Sequence, residues 1–186
     1  MKKYIGLVLV ALSGCILTVN AQQSFSYKNP LLPTEVRVNG LLDQMTLEEK
    51  IAQIRHLHSW DVFDGQVLNQ EKLDKMCGGI GYGFFEGFPL TAASCRKTFR
   101  EIQTYMVEKT RLGIPGFPVA ESLHGVVHEG TTIYPQNIAM GSTFNPELAY
   151  EKTKHIAGEL NTMGVKQVLA PCIDVVRDLR WGRVEE

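Results

Sequence analysis

Three short apolar runs, separated by stretches with helical periodicity, constrain this chain more than any other feature. The first is Gly78-Gly79-Ile80-Gly81-Tyr82-Gly83-Phe84-Phe85, glycine-punctuated and apolar, as suits a buried strand with its turn. The second is Phe117-Pro118-Val119-Ala120, ending at Glu121, and the third runs from Val165 to Val176. Between the first two, Thr91 to Lys109 has helical periodicity, with Phe99, Ile102 and Met106 on one face. Between the last two, Asn145-Pro146 gives a capped helix start, Leu148, Ile156, Ala157, Leu160 and Met163 share a face, and Gly164 closes the helix. Strand, helix, strand, helix, strand is the rhythm of a parallel α/β fold, and no internal repeat competes with it.

The segment before the first run reads differently. Lys2 and Lys3, the apolar stretch Ile5 to Val19 and the small residue Ala21 form a signal peptide over residues 1–21. Leu12-Ser13-Gly14-Cys15 also fits a lipobox, which would put a lipid on Cys15 and make a membrane the partner. Because Ile16 to Val19 stay apolar beyond that cysteine, plain secretion to the periplasm or beyond is the favoured reading. Residues 22–40, polar with Pro30 and Pro33, are expected to be an extended lead-in, and residues 41–186 the folded domain. Thr46-Leu47-Glu48-Glu49 spells a capping box. Leu47, Ile51, Ile54 and His58 follow at helical spacing, which places His56 and His58 at the end of an amphipathic helix in structural roles. Residues 59–75 read as a loop with a short helix.

Composition enters only to exclude. A formal charge of −1 with 21% charged residues offers no electrostatic case for nucleic acid. Cys77, Cys95 and Cys172 are too few for a disulfide framework and read as buried small hydrophobes, with a Cys77–Cys95 bridge the one alternative.

In a parallel α/β barrel the functional side chains lie just past the C-terminal ends of the strands. Two polar clusters occupy such places: Glu121-Ser122-Leu123-His124-Gly125, and the segment from Asp174 to Glu186. Carboxylates and forked arginines suit sugar hydroxyls, and aromatic faces suit sugar C–H faces. Glu121, Arg183 and Trp181 supply those residue types, although composition alone does not choose a sugar over another small polar ligand. Glu121, His124, His128 and Glu129 have spacings that a metal site on a helix could use, but Gly125 and Gly130 oppose that helix. No metal is expected.

Four segments resemble glycoside hydrolase family 3. "LLDQMTLEEKIAQ" at 41–53 is similar to the family's opening helix, and "RLGIPGFPVAESLHG" at 111–125 to its second barrel segment. "YPQNIAMGSTFNPELA" at 134–149 and "LAPCIDVVRDLRWGRVEE" at 169–186 also resemble the family in order and spacing. The resemblance implies a partial (β/α)8 TIM barrel, roughly its first three βα units. A complete barrel takes about 250 residues, so the chain is expected to be a truncated reading frame whose open sheet is poorly stable alone.

The same resemblance implies roles. Glu121 would bind hydroxyls of the non-reducing-end sugar and Arg183 would be a second sugar ligand. Asp178 and Glu186 would orient arginines, while Asp174, Trp181 and His124 line or support the site. Leu179 stands where the family usually has proline. Glutamate rather than aspartate at 121 shifts the expected substrates toward xylosides as well as glucosides. The implied activity is that of an exo-acting retaining β-glycosidase, a β-glucosidase or β-xylosidase, on oligosaccharides or β-glycosides, with no cofactor. The nucleophile and acid/base would lie beyond Glu186, so no catalytic residue is assigned. A β-N-acetylhexosaminidase of the same family, and a non-catalytic remnant or sugar-binding fragment, are the alternatives.

Overall fold

The computed structural model describes residues 26–87 and 91–186; residues 1–21, expected to be a signal peptide, and Cys15 among them lie outside the described residues. The chain divides into two compact units, one up to Lys50 and one from Ile51 onward. In the first, a 3-10 turn at Ser26–Lys28 precedes α1, Thr34–Leu42, and then α2 begins at Leu47 and runs to Ala52. Residues 34–40 are therefore helical, not extended. Pro33 stands immediately before the helix with φ −54°, a value its ring holds ready for a helical turn. The Arg37 Nε then donates to the Tyr27 carbonyl at 2.8 Å, tying helix to turn. The capping box is present: the Thr46 amide donates to Glu49 Oε2 at 2.9 Å, and the Glu49 amide to Thr46 Oγ1 at 3.2 Å.

The second unit is α/β. Strand β1, His56–His58, leads through α3 (Ser59–Val62), a small antiparallel pair β2 (Phe63–Asp64) and β3 (Val67–Leu68), and α4 (Gln70–Cys77) to β4, Phe84–Glu86. Helix α5, Ala92–Lys109, leads to β5, Phe117–Glu121; α6 (Asn137–Gly141) and α7 (Pro146–Met163) lead to β6, Gln167–Leu169. The main sheet has the order β1-β4-β5-β6, parallel throughout. Each strand is laid beside its predecessor, as in a barrel and unlike a doubly wound sheet, whose order reverses.

The sequence reading misplaced β1. Leu47, Ile51, Ile54 and His58 match a helical period, but α2 ends at Ala52 and His56–His58 pairs with Phe84–Glu86. Three residues carry too little alternation to be seen in a sequence, and the partner strand lies some thirty positions away. The third apolar run also pairs over less than its length. Only Gln167–Leu169 joins the sheet, and Ile173 and Val175 beyond it are exposed.

The core lies between the sheet and its helices. Leu57 and Phe85, adjacent in register, are fully buried, and Phe85 meets the Phe99 ring edge-on at 5.6 Å. Ile102 and Met106 of α5, Ile156, Leu160 and Met163 of α7, and Leu73 and Cys77 of α4 complete the cluster. Each such side chain removed from water contributes about 1.5–3 kcal/mol. Helices α5 and α7 begin as their caps require: Thr91 and Ser94 form a reciprocal box, and Asn145 Oδ1 accepts from the Leu148 amide at 3.1 Å.

Two details fix the strands' starting points. Gln103 on α5 grips the Gly116 backbone, accepting from its amide at 3.1 Å and donating to its carbonyl. Gly83 sits so close to the Gln53 backbone that an added Cβ would lie 1.9 Å from the Gln53 carbonyl oxygen. Backbone on both sides leaves no flexible group to yield. Gly83→Ala is therefore expected to abolish soluble expression or lower the melting temperature sharply. Asn145→Ala is expected to cost only about 1 kcal/mol. Thermal melts and soluble yields of the two variants check this, and equal effects would contradict it.

Candidate functional site

The parallel strands end together, and a cavity of about 420 Å³ opens at those ends. Its wall carries His58 from the end of β1, Glu86 from the end of β4, Glu121 from the end of β5 and Leu169 from the end of β6. The loop after β5 adds Ser122, His124, Val127 and His128, while Cys95 and Phe99 from α5 and Met163 from α7 reach the wall from the helical side. Apolar floor and polar lip thus come from different elements.

The loop after β5 is held by its own backbone. The Tyr134 amide donates to the His124 carbonyl at 2.8 Å, and Thr131 Oγ1 donates to the His128 carbonyl at 2.7 Å. Gly125, at φ +104°, lets the chain double back, and a Cβ there would stand 2.3 Å from the Thr132 carbonyl oxygen. The turn thus requires glycine at 125, and it carries Ser122, Leu123 and His124 to the cavity wall. Within it, Ser122 Oγ and His124 Nδ1 are buried without a hydrogen-bond partner among the described residues. Buried polar atoms are costly to leave unpaired, and on a cavity wall a water or a polar ligand satisfies them.

Across the cavity, Glu86 stands between two imidazoles. Nδ1 of His56 lies 3.1 Å from one carboxylate oxygen and Nδ1 of His58 lies 3.2 Å from the other. Both are close contacts, out of line for hydrogen bonds. His56 also stacks on Phe84 at 5.0 Å, and Phe84 on Phe117 at 5.9 Å, so a row of rings crosses three strands on the face that bears Glu86. Beyond His58, Trp60 stacks almost flat on its ring, 4.3 Å away at 8°. Neither Glu86 nor Trp60 was legible as a site residue. Glu86 ends an apolar run with no motif around it, and its place on the wall follows only from the register His58–Glu86–Val119.

The second polar cluster is exposed. Arg180 is bound to Asp178, with Nε donating at 3.0 Å to each oxygen, and its own amide donating at 2.9 Å. Arg183 pairs with Glu186. Glu186 holds the Arg183 guanidinium above its ordinary range, with smaller contributions from Cys172 and Glu121. Arg183 does not line the cavity wall. Asp174 accepts a weak bond from the Cys172 thiol at 3.2 Å, and Trp181 is exposed on the same stretch. The segment is anchored at its far end by the Ile138 amide, which donates to the Glu185 carbonyl at 3.2 Å. Of the residues singled out in the sequence, Glu121 and His124 share the cavity; Asp174, Asp178, Trp181, Arg183 and Glu186 form a separate strip.

No group of three His, Cys, Asp or Glu is arranged to hold a metal among the described residues. Glu121 ends a strand and His124 and His128 sit in the loop after it, so the helical ligand spacing considered for them does not arise.

The model of the glycosyl hydrolase family 3 N-terminal domain matches residues 46–186. The chain belongs to glycosyl hydrolase family 3. A putative β-xylosidase of Formosa agariphila is 32% identical over 169 residues, 88% of this chain and 22% of that protein. A periplasmic β-glucosidase of Salmonella typhimurium is 28% identical over 186 residues, 99% of this chain and 22% of that protein. Among solved structures, a β-glucosidase from Erythrobacter marinus superposes with a TM-score of 0.72 at 29% identity, over 87% of this chain and 22% of that one. The chain therefore spans about a fifth of the length of these relatives. The family match takes in the whole parallel sheet, both polar clusters and the cavity between strand ends and helices.

The cysteines give this arrangement a chemical test. Burial pushes the Cys77 thiol up to about 12, with Asp74 adding to it, and the Cys95 thiol up to about 11; both are unbridged. Thiolate is the reactive form, so both are held inert at neutral pH. In native protein at pH 8, Cys172 is expected to react with iodoacetamide well before Cys77 or Cys95, as read by peptide mass spectrometry. Comparable rates at all three would contradict the described packing.

Proposed function

We propose that the complete protein hydrolyses O-glycosidic bonds as an exo-acting, retaining β-glycosidase, releasing a terminal xylose or glucose from β-glycosides or oligosaccharides. The observation that carries this is the cavity at the strand ends. It holds the Glu121 carboxylate at its lip, beside the unpaired Ser122 Oγ and His124 Nδ1, above a floor of apolar side chains. A sugar needs that combination: acceptors for its hydroxyls, donors for its oxygens and an apolar surface for its C–H faces.

In this reading Glu121 accepts the hydroxyls of the innermost sugar. Arg183, paired with Glu186, comes to the same sugar from the other strip. Asp178 orients Arg180, and Glu186 orients Arg183. Asp174 and Trp181 support that strip. Retention requires one pair of carboxylates, a nucleophile and an acid/base, and the residues of this chain are assigned binding and not catalytic roles. Names of relatives support both sugars: β-xylosidase in Formosa agariphila and β-glucosidase in Salmonella typhimurium. The periplasmic location in the latter's name, together with the signal-peptide pattern, supports secretion. No described helix is long and apolar enough to cross a membrane.

The test is a panel of aryl β-glycosides given to the complete gene product: xyloside, glucoside and N-acetylglucosaminide. Release from the xyloside or glucoside is expected. Preference for the N-acetylglucosaminide would instead indicate a hexosaminidase, and no release at all would indicate a non-catalytic protein. Glu121→Ala is expected to lower kcat/KM by about tenfold to a hundredfold, the worth of about 1.5–3 kcal/mol in hydrogen bonds to a charged group. Wild-type kcat/KM in that variant would remove Glu121 from the site.

A further inference from the structure

We propose that Glu86, flanked by His56 and His58, is a second carboxylate ligand of the bound sugar, beside Glu121 on the same face of the sheet; this deepens the glycosidase reading and rests on it. Register is the first ground. Glu86 pairs with Val119, and Glu121 lies two positions further along the same strand. Because side chains alternate, residues two apart share a face, so Glu86 and Glu121 project from the same face of the sheet. Strands spaced about 4.8 Å apart with a rise of about 3.3 Å per residue put their Cα atoms roughly 8 Å apart. That width suits one sugar ring held between two acceptors.

Burial and contacts are the second ground. The Glu86 side chain is 21% exposed and forms part of the cavity wall. A carboxylate offers about four lone-pair sites, and two imidazole contacts leave capacity for a further donor. His56 is fixed by stacking on Phe84, and His58 by stacking on Trp60. The carboxylate is therefore flanked at 3.1 and 3.2 Å by two rings that are themselves fixed by stacking, which narrows the space it can occupy. The third ground is independent of both carboxylates: Ser122 is 5% exposed, lines the same cavity and leaves its Oγ without a partner among the described residues. Ser122 Oγ thus adds an unpaired hydroxyl to the cavity wall that also carries Glu86 and Glu121. Each pyranose hydroxyl donates one hydrogen bond, so two separated carboxylates engage different hydroxyls of one ring. Glu86 is a specificity-determining residue in this account, and His56 and His58 are positioning residues.

The experiment uses the complete gene product and its preferred aryl glycoside, together with the 2-, 3- and 4-deoxy versions of that glycoside. Glu86→Gln is expected to lower kcat/KM for the intact sugar by about tenfold to a hundredfold. For one of the three deoxy glycosides the same substitution is expected to change kcat/KM less than twofold, because the hydroxyl that Glu86 accepts is already gone. Glu86→Asp, which retains the charge with a shorter arm, should show the same dependence with a smaller loss. His56→Asn should reproduce the pattern more weakly, whereas a merely structural histidine would lower the rate on all four sugars alike. An equal loss on every deoxy glycoside, or wild-type kinetics on the intact sugar, overturns the role of Glu86 while leaving the glycosidase reading intact. A wild-type protein that cleaves none of the glycosides overturns both.

Discussion

Pairing of Phe84–Glu86 with neighbours on both sides is the interaction on which the rest of the second unit depends. Strand β4 takes His56–His58 on one edge and Phe117–Val119 on the other, all running the same way. Parallel pairing has two consequences at once. It forces a helix-bearing crossover between successive strands, which places α5 and α7 where they cover Leu57 and Phe85. It also gathers the strands' C-terminal ends, so that His58, Glu86 and Glu121 meet at one rim although they are distant in sequence. Core and cavity are two sides of the same register.

Close backbone approach sets that register as much as side-chain burial does. Gly83 admits the Gln53 carbonyl to within a distance no side chain permits, and Gln103 clamps Gly116 by both of its polar groups. These fix where β4 and β5 begin, and hence where Glu86 and Glu121 end. At the rim the same device recurs, with Gly125 closing the loop that carries Ser122 and His124. The site is therefore positioned by backbone contacts one layer below the residues proposed to bind sugar.

Local signals in the sequence proved readable where one element suffices to make them. Asn145 and the Thr46–Glu49 pair announced helix starts because capping is settled within a single turn. Glu121 was legible for a similar reason: an apolar run that stops at a carboxylate places that carboxylate at a strand's end. His56, His58 and Glu86 were not legible. A three-residue strand has no measurable period, and a charged residue beside Gly87 carries no sign of which neighbour it will meet. The helix at Thr34–Leu42 was hidden by its composition, since Val36, Val38, Asn39 and Gly40 are weak helix formers. Packing against the preceding turn at Ser26–Lys28, with Arg37 bound to the Tyr27 carbonyl, prevails there over local propensity.

Membership of family 3 and the shape of the rim lead to one central claim, that a single sugar sits at the strand ends between the two glutamates. The most direct measurement is a crystal structure of the complete gene product with the released monosaccharide bound. The account predicts the ring over the ends of the parallel strands, with separate hydroxyls within hydrogen-bonding distance of Glu121 and of Glu86. A sugar bound elsewhere, or one at the rim whose hydroxyls contact neither glutamate, would contradict it.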